Sequence, residues 1–81
     1  MLIKIYSIKD LETNTFDTPF FSHNDTLAKR HFIMTSNNEN SMIHNFPDQF
    51  CLYSLGEFDT DSGNISTSLT IVLEGNQILK K

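Results

Sequence analysis

Apolar and polar positions along the chain follow two periods, one of two residues and one near 3.6, and the periods change at a few polar breaks. Residues 2–8, LIKIYSI, are β-branched and aromatic and read as a strand. Leu2, Lys4, Tyr6 and Ile8 fall on one face and Ile3, Ile5 and Ser7 on the other. Apolar groups on both faces suit an interior strand, or an edge strand covered by a partner. The stretch KDLETNTFDT that follows is polar and turn-rich. Pro19 then introduces PFF, an extended aromatic anchor, because proline disfavours helix in the residue before it.

Residues 22–38, SHNDTLAKRHFIMTSNN, predict the one good helix. Asn24 or Ser22 can cap it, and Asp25 in the first turn complements the helix dipole. Leu27, Ala28, His31, Phe32 and Met34 recur at helical spacing and form the expected inner stripe. Lys29, Arg30 and Ile33 fall largely on the other side. The run TSNNENS ends the helix, since Asn and Ser side chains compete for backbone hydrogen bonds. Residues 41–50 are ambiguous until Pro47 and Asp48, which mark a tight turn before the next strand.

FCLYSLGEF, residues 50–58, reads as a second strand with apolar groups on both faces. ISTSLTIVL, residues 65–73, sets Ile65, Leu69, Ile71 and Leu73 against Ser66, Ser68 and Thr70, the alternation of a half-buried strand. Between them lies DTDSGN. Gly63 and Asn64 tolerate positive φ, so residues 50–73 predict a β-hairpin with a polar tip. A calcium loop starting at Asp59 fails. Gly63 and Asn64 occupy the fifth and sixth positions in displaced order, and Thr70 stands where a bidentate Glu is needed. Asp59 and Asp61 have no histidine or nucleophile beside them, and solvated turn acids lack the burial that raises a catalytic carboxyl.

The expected fold class is therefore α+β in the order β-α-β-β. A single helix packs on an antiparallel sheet of three or four strands, in one domain spanning residues 1–81. At 81 residues the core is small, and dimerisation is one way to complete it. The lone cysteine, Cys51, sits in an apolar run and reads as a packed small hydrophobe, which fits a reducing compartment. His23, His31 and His44 show no metal spacing, and there is no phosphate-binding glycine loop or nucleophilic triad order. No enzyme, cofactor or metal is expected. No apolar run reaches the ~20 residues of a membrane span, and the N-terminus carries no signal-peptide cleavage pattern.

The net charge of −4 argues against a strong nonspecific nucleic-acid binder but leaves room for a local basic patch. Lys4 and Lys9 lie in the first strand, Lys29 and Arg30 in the helix, and Lys80 and Lys81 in the tail after the turn at EGN. Tyr6, Phe50, Tyr53 and Phe58 lie on strands that can pair. Sheet aromatics beside lysine can stack single-stranded bases, whereas the plain alternative is that they are core. Lys4 and Tyr6 share a strand face, and Lys29 with Arg30 could contact phosphate or simply be the solvated helix face.

KIYSIKD, FDTPFF, NDTLAKRHF and FPDQFCLYSLGEFDTDSGNI occur in one serial order. That order resembles the small nonstructural protein of gokushovirus-type microviruses, phages with circular single-stranded DNA, a protein likened to protein C of other microviruses. The resemblance covers about residues 3 to 65. It implies a DNA-binding accessory role in the switch from double-stranded replication to single-stranded synthesis and packaging, in the host bacterial cytoplasm. It supplies no binding residues. From the residues themselves, Lys4, Tyr6, Lys9, Lys29 and Arg30 are the candidate DNA contacts, and a homodimer would double that patch and cover strand edges. The other reading, from the acidic balance and the acidic hairpin tip, is a module that binds a phage or host replication protein without touching DNA.

Overall fold

The computed structural model describes residues 1–78, and at its centre lies strand β1 (Leu2–Asp10). On one side β1 pairs along its whole length with β4 (Phe50–Asp59). Its other side is shared by two short strands, β2 (Thr15–Phe16) against Lys9 and Asp10, and β3 (Phe20–Ser22) against Lys4–Tyr6. β5 (Ile65–Glu74) pairs with the far side of β4, so the sheet runs β2/β3-β1-β4-β5, antiparallel throughout. The expected α+β class holds. The strand count differs from expectation because the aromatic anchor around Pro19 pairs with β1 instead of looping free. Proline has no N–H to give, so pairing breaks between β2 and β3. The gap is closed by the Asp17 amide donating to the Ile8 carbonyl (2.9 Å) and the Ser7 hydroxyl donating to the Asp17 carbonyl (2.6 Å).

Helix α1 (Asp25–Ser36) packs on one face of this sheet. The Asn24 side chain caps it by accepting from the Leu27 amide at 2.9 Å. The stripe it buries is narrower than the sequence predicts: Ala28, Phe32 and Ser36, one residue per turn. Leu27 and Met34 point outward, and His31, though exposed, lays its ring against Phe20 at 4.4 Å. The ambiguous segment contains a one-turn helix, α2 (Met42–Asn45), capped by Ser41, and a 3₁₀ turn at Pro47–Gln49 that feeds β4. Ile43 of α2 is buried, and His44 Nδ1 meets the Ser36 carbonyl at 3.0 Å, tying α2 to the end of α1.

The core is Tyr6, Ile8, Phe32, Ile43, Phe50 and Leu52 around Ala28, with Phe20, Val72, Leu73 and Ile78 at its margin. All of it lies between the helices and one face of the sheet. Among the described residues the opposite face carries no helix. β5 is consequently not the half-buried strand that its alternation predicts. It is exposed from Ile65 to Ile71, whose apolar side chains point to the helix-free face, while an extra residue at Val72 turns Leu73, expected on that same side, toward the core. Lys80 and Lys81 lie outside the described residues.

The helix-free face owes its content to one irregularity. Gly56 has φ of 144°, and a Cβ there would collide with the Ser66 backbone. Ladder register shifts at the same place, since Ile5 pairs with Gly56 but Tyr6 with Ser54, leaving Leu55 as an extra residue in β4. Side chains five positions apart normally fall on opposite faces. The bulge puts Tyr53 and Phe58 on the same one: Ser7 opposes Tyr53, Ile3 opposes Phe58, and both β1 residues face away from α1.

Candidate functional site

Strand pairing places Ile3, Ile5, Ser7 and Lys9 of β1 on the helix-free face, each beside an aromatic or apolar neighbour. Lys9 pairs with Phe16, and Ile5 pairs with Phe21. Two aromatic pairs result. Phe16 meets Tyr53 edge-on, with centroids 5.3 Å apart and planes at 74°. Phe21 meets Phe58 at 6.1 Å and 59°. The Lys9 ammonium lies 5.3 Å from the Phe16 centroid and 5.8 Å from that of Tyr53, within the range where a cation is attracted to a ring. Phe16 is 42% exposed and Phe21 60%, so ring area remains open to solvent. Ile65, Leu69 and Ile71 of β5 extend the face outward.

Chemically this is an aromatic surface with a cation set into it. Cys51 lies beneath it, buried, opposite Lys9 and Glu74. Burial first, and the Glu74 charge second, push its thiol above the ordinary cysteine value, while Lys9 acts the other way. That suits the packed role expected of it and disfavours a thiolate.

The other candidate contacts lie elsewhere. Tyr6 is fully buried and donates its hydroxyl to Asp25 at 2.6 Å. Burial first, then the Asp25 hydrogen bond and charge, push the phenol well above its ordinary value. Its ring stacks on Phe20 inside the core (5.8 Å, 27°), so Tyr6 offers no face to a base. Lys4 shares Tyr6's face, as expected, but sits 3.5 Å from the same Asp25 carboxylate. The Tyr6 hydrogen bond is the main cause holding the Asp25 carboxyl below its ordinary value, with Lys4 and Lys29 assisting. Lys4 and Asp25 edge a shallow cleft of about 330 Å³ with Glu57, Ser66, Ser68 and Thr70. Lys29 and Arg30 lie on the outward side of α1 beside Ile33 and Met34.

The five residues thus occupy three places: Lys9 on the helix-free face, Lys4 and Tyr6 around Asp25, and Lys29 and Arg30 on the outer helix surface. Tyr53 and Phe58 could be picked out in the sequence as strand aromatics, and they belong to the face. Phe16 and Phe21 were missed. Their signal was the β-prone TF and FF flanking Pro19, but both runs are so short that TF disappears into a polar, turn-rich stretch and FF reads as an anchor.

The hairpin tip is architecture. The Asp59 carboxylate accepts from the Asp61 amide at 2.9 Å, and the Met1 amino group sits 2.8 Å from Asp61 and 3.5 Å from Asp59. Among the described residues no group of three or more His, Cys, Asp or Glu is placed to hold a metal ion. None of the described helices is long and apolar enough to cross a membrane.

No curated protein and no solved structure matches the chain. Residues 3–78, nearly its whole length, match the family described as Phage ORF5 protein. The chain belongs to that family, and the molecule built around this aromatic sheet face is a phage protein.

Proposed function

We propose that this phage protein is an accessory factor that binds single-stranded DNA across the helix-free face of its sheet, in replication or packaging of a single-stranded genome. The observation that carries the reading is the pair of aromatic contacts, Phe16–Tyr53 and Phe21–Phe58, with Lys9 set over the first. Single-strand binders stack bases on sheet aromatics and neutralise the backbone with nearby cations. The resemblance of the sequence to the nonstructural protein of gokushovirus-type microviruses points the same way. Lys9 and Ile5 are four residues apart on β1, so the two aromatic pairs are separated by about 13 Å of strand. A strand of more than one nucleotide is needed to bridge them.

Fluorescence anisotropy of a labelled single-stranded oligonucleotide, at low and moderate salt, tests this. Phe21→Ala removes one stacking surface and is expected to weaken binding by about 5- to 150-fold, the equivalent of roughly 1–3 kcal/mol. Lys9→Ala is expected to weaken binding and to flatten the logarithmic salt slope by about 0.7, the loss of one phosphate contact. Replacing Lys29 and Arg30 together is expected to change little, because they lie on the other side of the molecule. Absence of binding at low salt defeats the reading. A second reading, a module for a phage or host replication protein, would then take its place. It is favoured by the net charge of −4 and by Ile33 and Met34 exposed beside Lys29 and Arg30 on α1.

A further inference from the structure

β5 ends the sheet. Among the described residues no strand pairs with its outer edge, which presents a row of backbone donors and acceptors over Ile65–Glu74. Free edges of this length are commonly blunted with lysine, proline or an inward-pointing charge. Residues 65–73, ISTSLTIVL, contain no proline and no charged residue. Ile65, Leu69 and Ile71 are nonetheless 60%, 63% and 52% exposed. The β4–β5 ladder shifts register twice along β5, once between Thr67 and Thr70 and once at Val72, an extra residue between Ile71 and Leu73. From Ile65 to Ile71 the side chains still alternate regularly, since Ile65 opposes Phe58 and Ile71 opposes Tyr53, both on the helix-free face.

We infer that the outer edge of β5 is a homodimer interface, where a second copy of the chain adds its own β5 antiparallel about a two-fold axis at Ser68. Charge permits that occupant only along this edge. Each copy carries a net −4, so two copies repel through most of their surface and approach best through a strip without charge. Symmetry selects the register. A two-fold axis at Ser68 pairs Ile65 of one copy with Ile71 of the other, and Ser66 with Thr70. On the helix-free face Ile65 then meets Ile71, with Thr67 beside Leu69, and on the other face hydroxyl meets hydroxyl, pairings that favour a sheet. The same operation keeps both helix-free faces on one side, so the two aromatic surfaces join across β5 into a single continuous face. This interface stands on the β5 edge and does not require that DNA is bound.

Sedimentation equilibrium tests it with two charge variants at the axis. The wild-type chain is expected to be a monomer–dimer system. Ser68→Lys and Ser68→Asp each bring two like charges together and are expected to weaken self-association by about fivefold. An equimolar mixture of the two variants is expected to regain the dimer, which also shows that both still fold. A wild-type chain that stays monomeric overturns the inference. So does a dimer indifferent to both charges, or a mixture that associates no better than either variant alone. Anisotropy on the same variants separates the two proposals, since loss of the dimer leaves each Phe21–Phe58 surface in place.

Discussion

Asp25 ties two elements together through its carboxylate. It follows the helix cap, accepts the buried Tyr6 hydroxyl and pairs with Lys4, so a surface carboxylate holds the middle of β1 to the start of α1. Its carboxyl titrates below the ordinary aspartate value, chiefly because Tyr6 hydrogen-bonds the charged form. A carboxyl depressed in the folded state contributes stability that is present above its unfolded value, near 3.8, and lost as pH falls through the folded value. Asp25→Asn is therefore expected to lower stability at neutral pH by about 1 kcal/mol or less, since the site is half exposed, and to flatten the acid limb of the stability profile. Urea unfolding of both proteins between pH 7 and pH 2 checks this. Some acid sensitivity should remain, because the Asp61 amide and the Met1 amino group hold Asp59 low as well. None of this was visible in the sequence, where Lys4, Tyr6 and Asp25 are separated in the chain and only the fold brings them together.

At the level of elements, the strands with long β-branched runs were legible, as were the helix and the hairpin tip. β1, β4 and β5 begin and end within a residue or two of the expected bounds. The helix is shorter than expected at both ends, because Asn24 fixes its start and Asn37 closes it by donating to the carbonyls of the last turn. What escaped notice depends on tertiary partners. β2 and β3 exist only because β1 offers an edge, and α2 because Ile43 finds the core. The bulge at Leu55 and Gly56 was hidden too, since a glycine inside a strand pattern does not say which neighbour it accommodates. Gly56→Ala is expected to cost about 2–3 kcal/mol, from the strained φ and the collision with Ser66. Denaturant unfolding measures the cost. Where the variant still folds, oligonucleotide affinity is expected to fall as well, because the bulge is what gathers Tyr53 and Phe58 on one face.

The whole molecule is lopsided. One face of the sheet is sealed by α1 and α2, and the other leaves Phe16, Phe21, Ile65, Leu69 and Ile71 in water. That exposed apolar side is the surface the proposed DNA binding would use. The chain's acidity was plain in the sequence, but not that its described cations are dispersed, with Lys9 among the aromatics and Lys29 and Arg30 on the far side. Single-stranded DNA on the helix-free face, through a few stacked bases and few phosphate contacts, is consistent with that distribution. Backbone and aromatic NMR shift mapping with a short single-stranded oligonucleotide tests this most directly. Perturbations are expected at Lys9, Phe16, Phe21, Tyr53 and Phe58, with Thr26, Lys29, Arg30 and Met34 silent. Perturbations confined to α1, or none at saturating oligonucleotide, would contradict it.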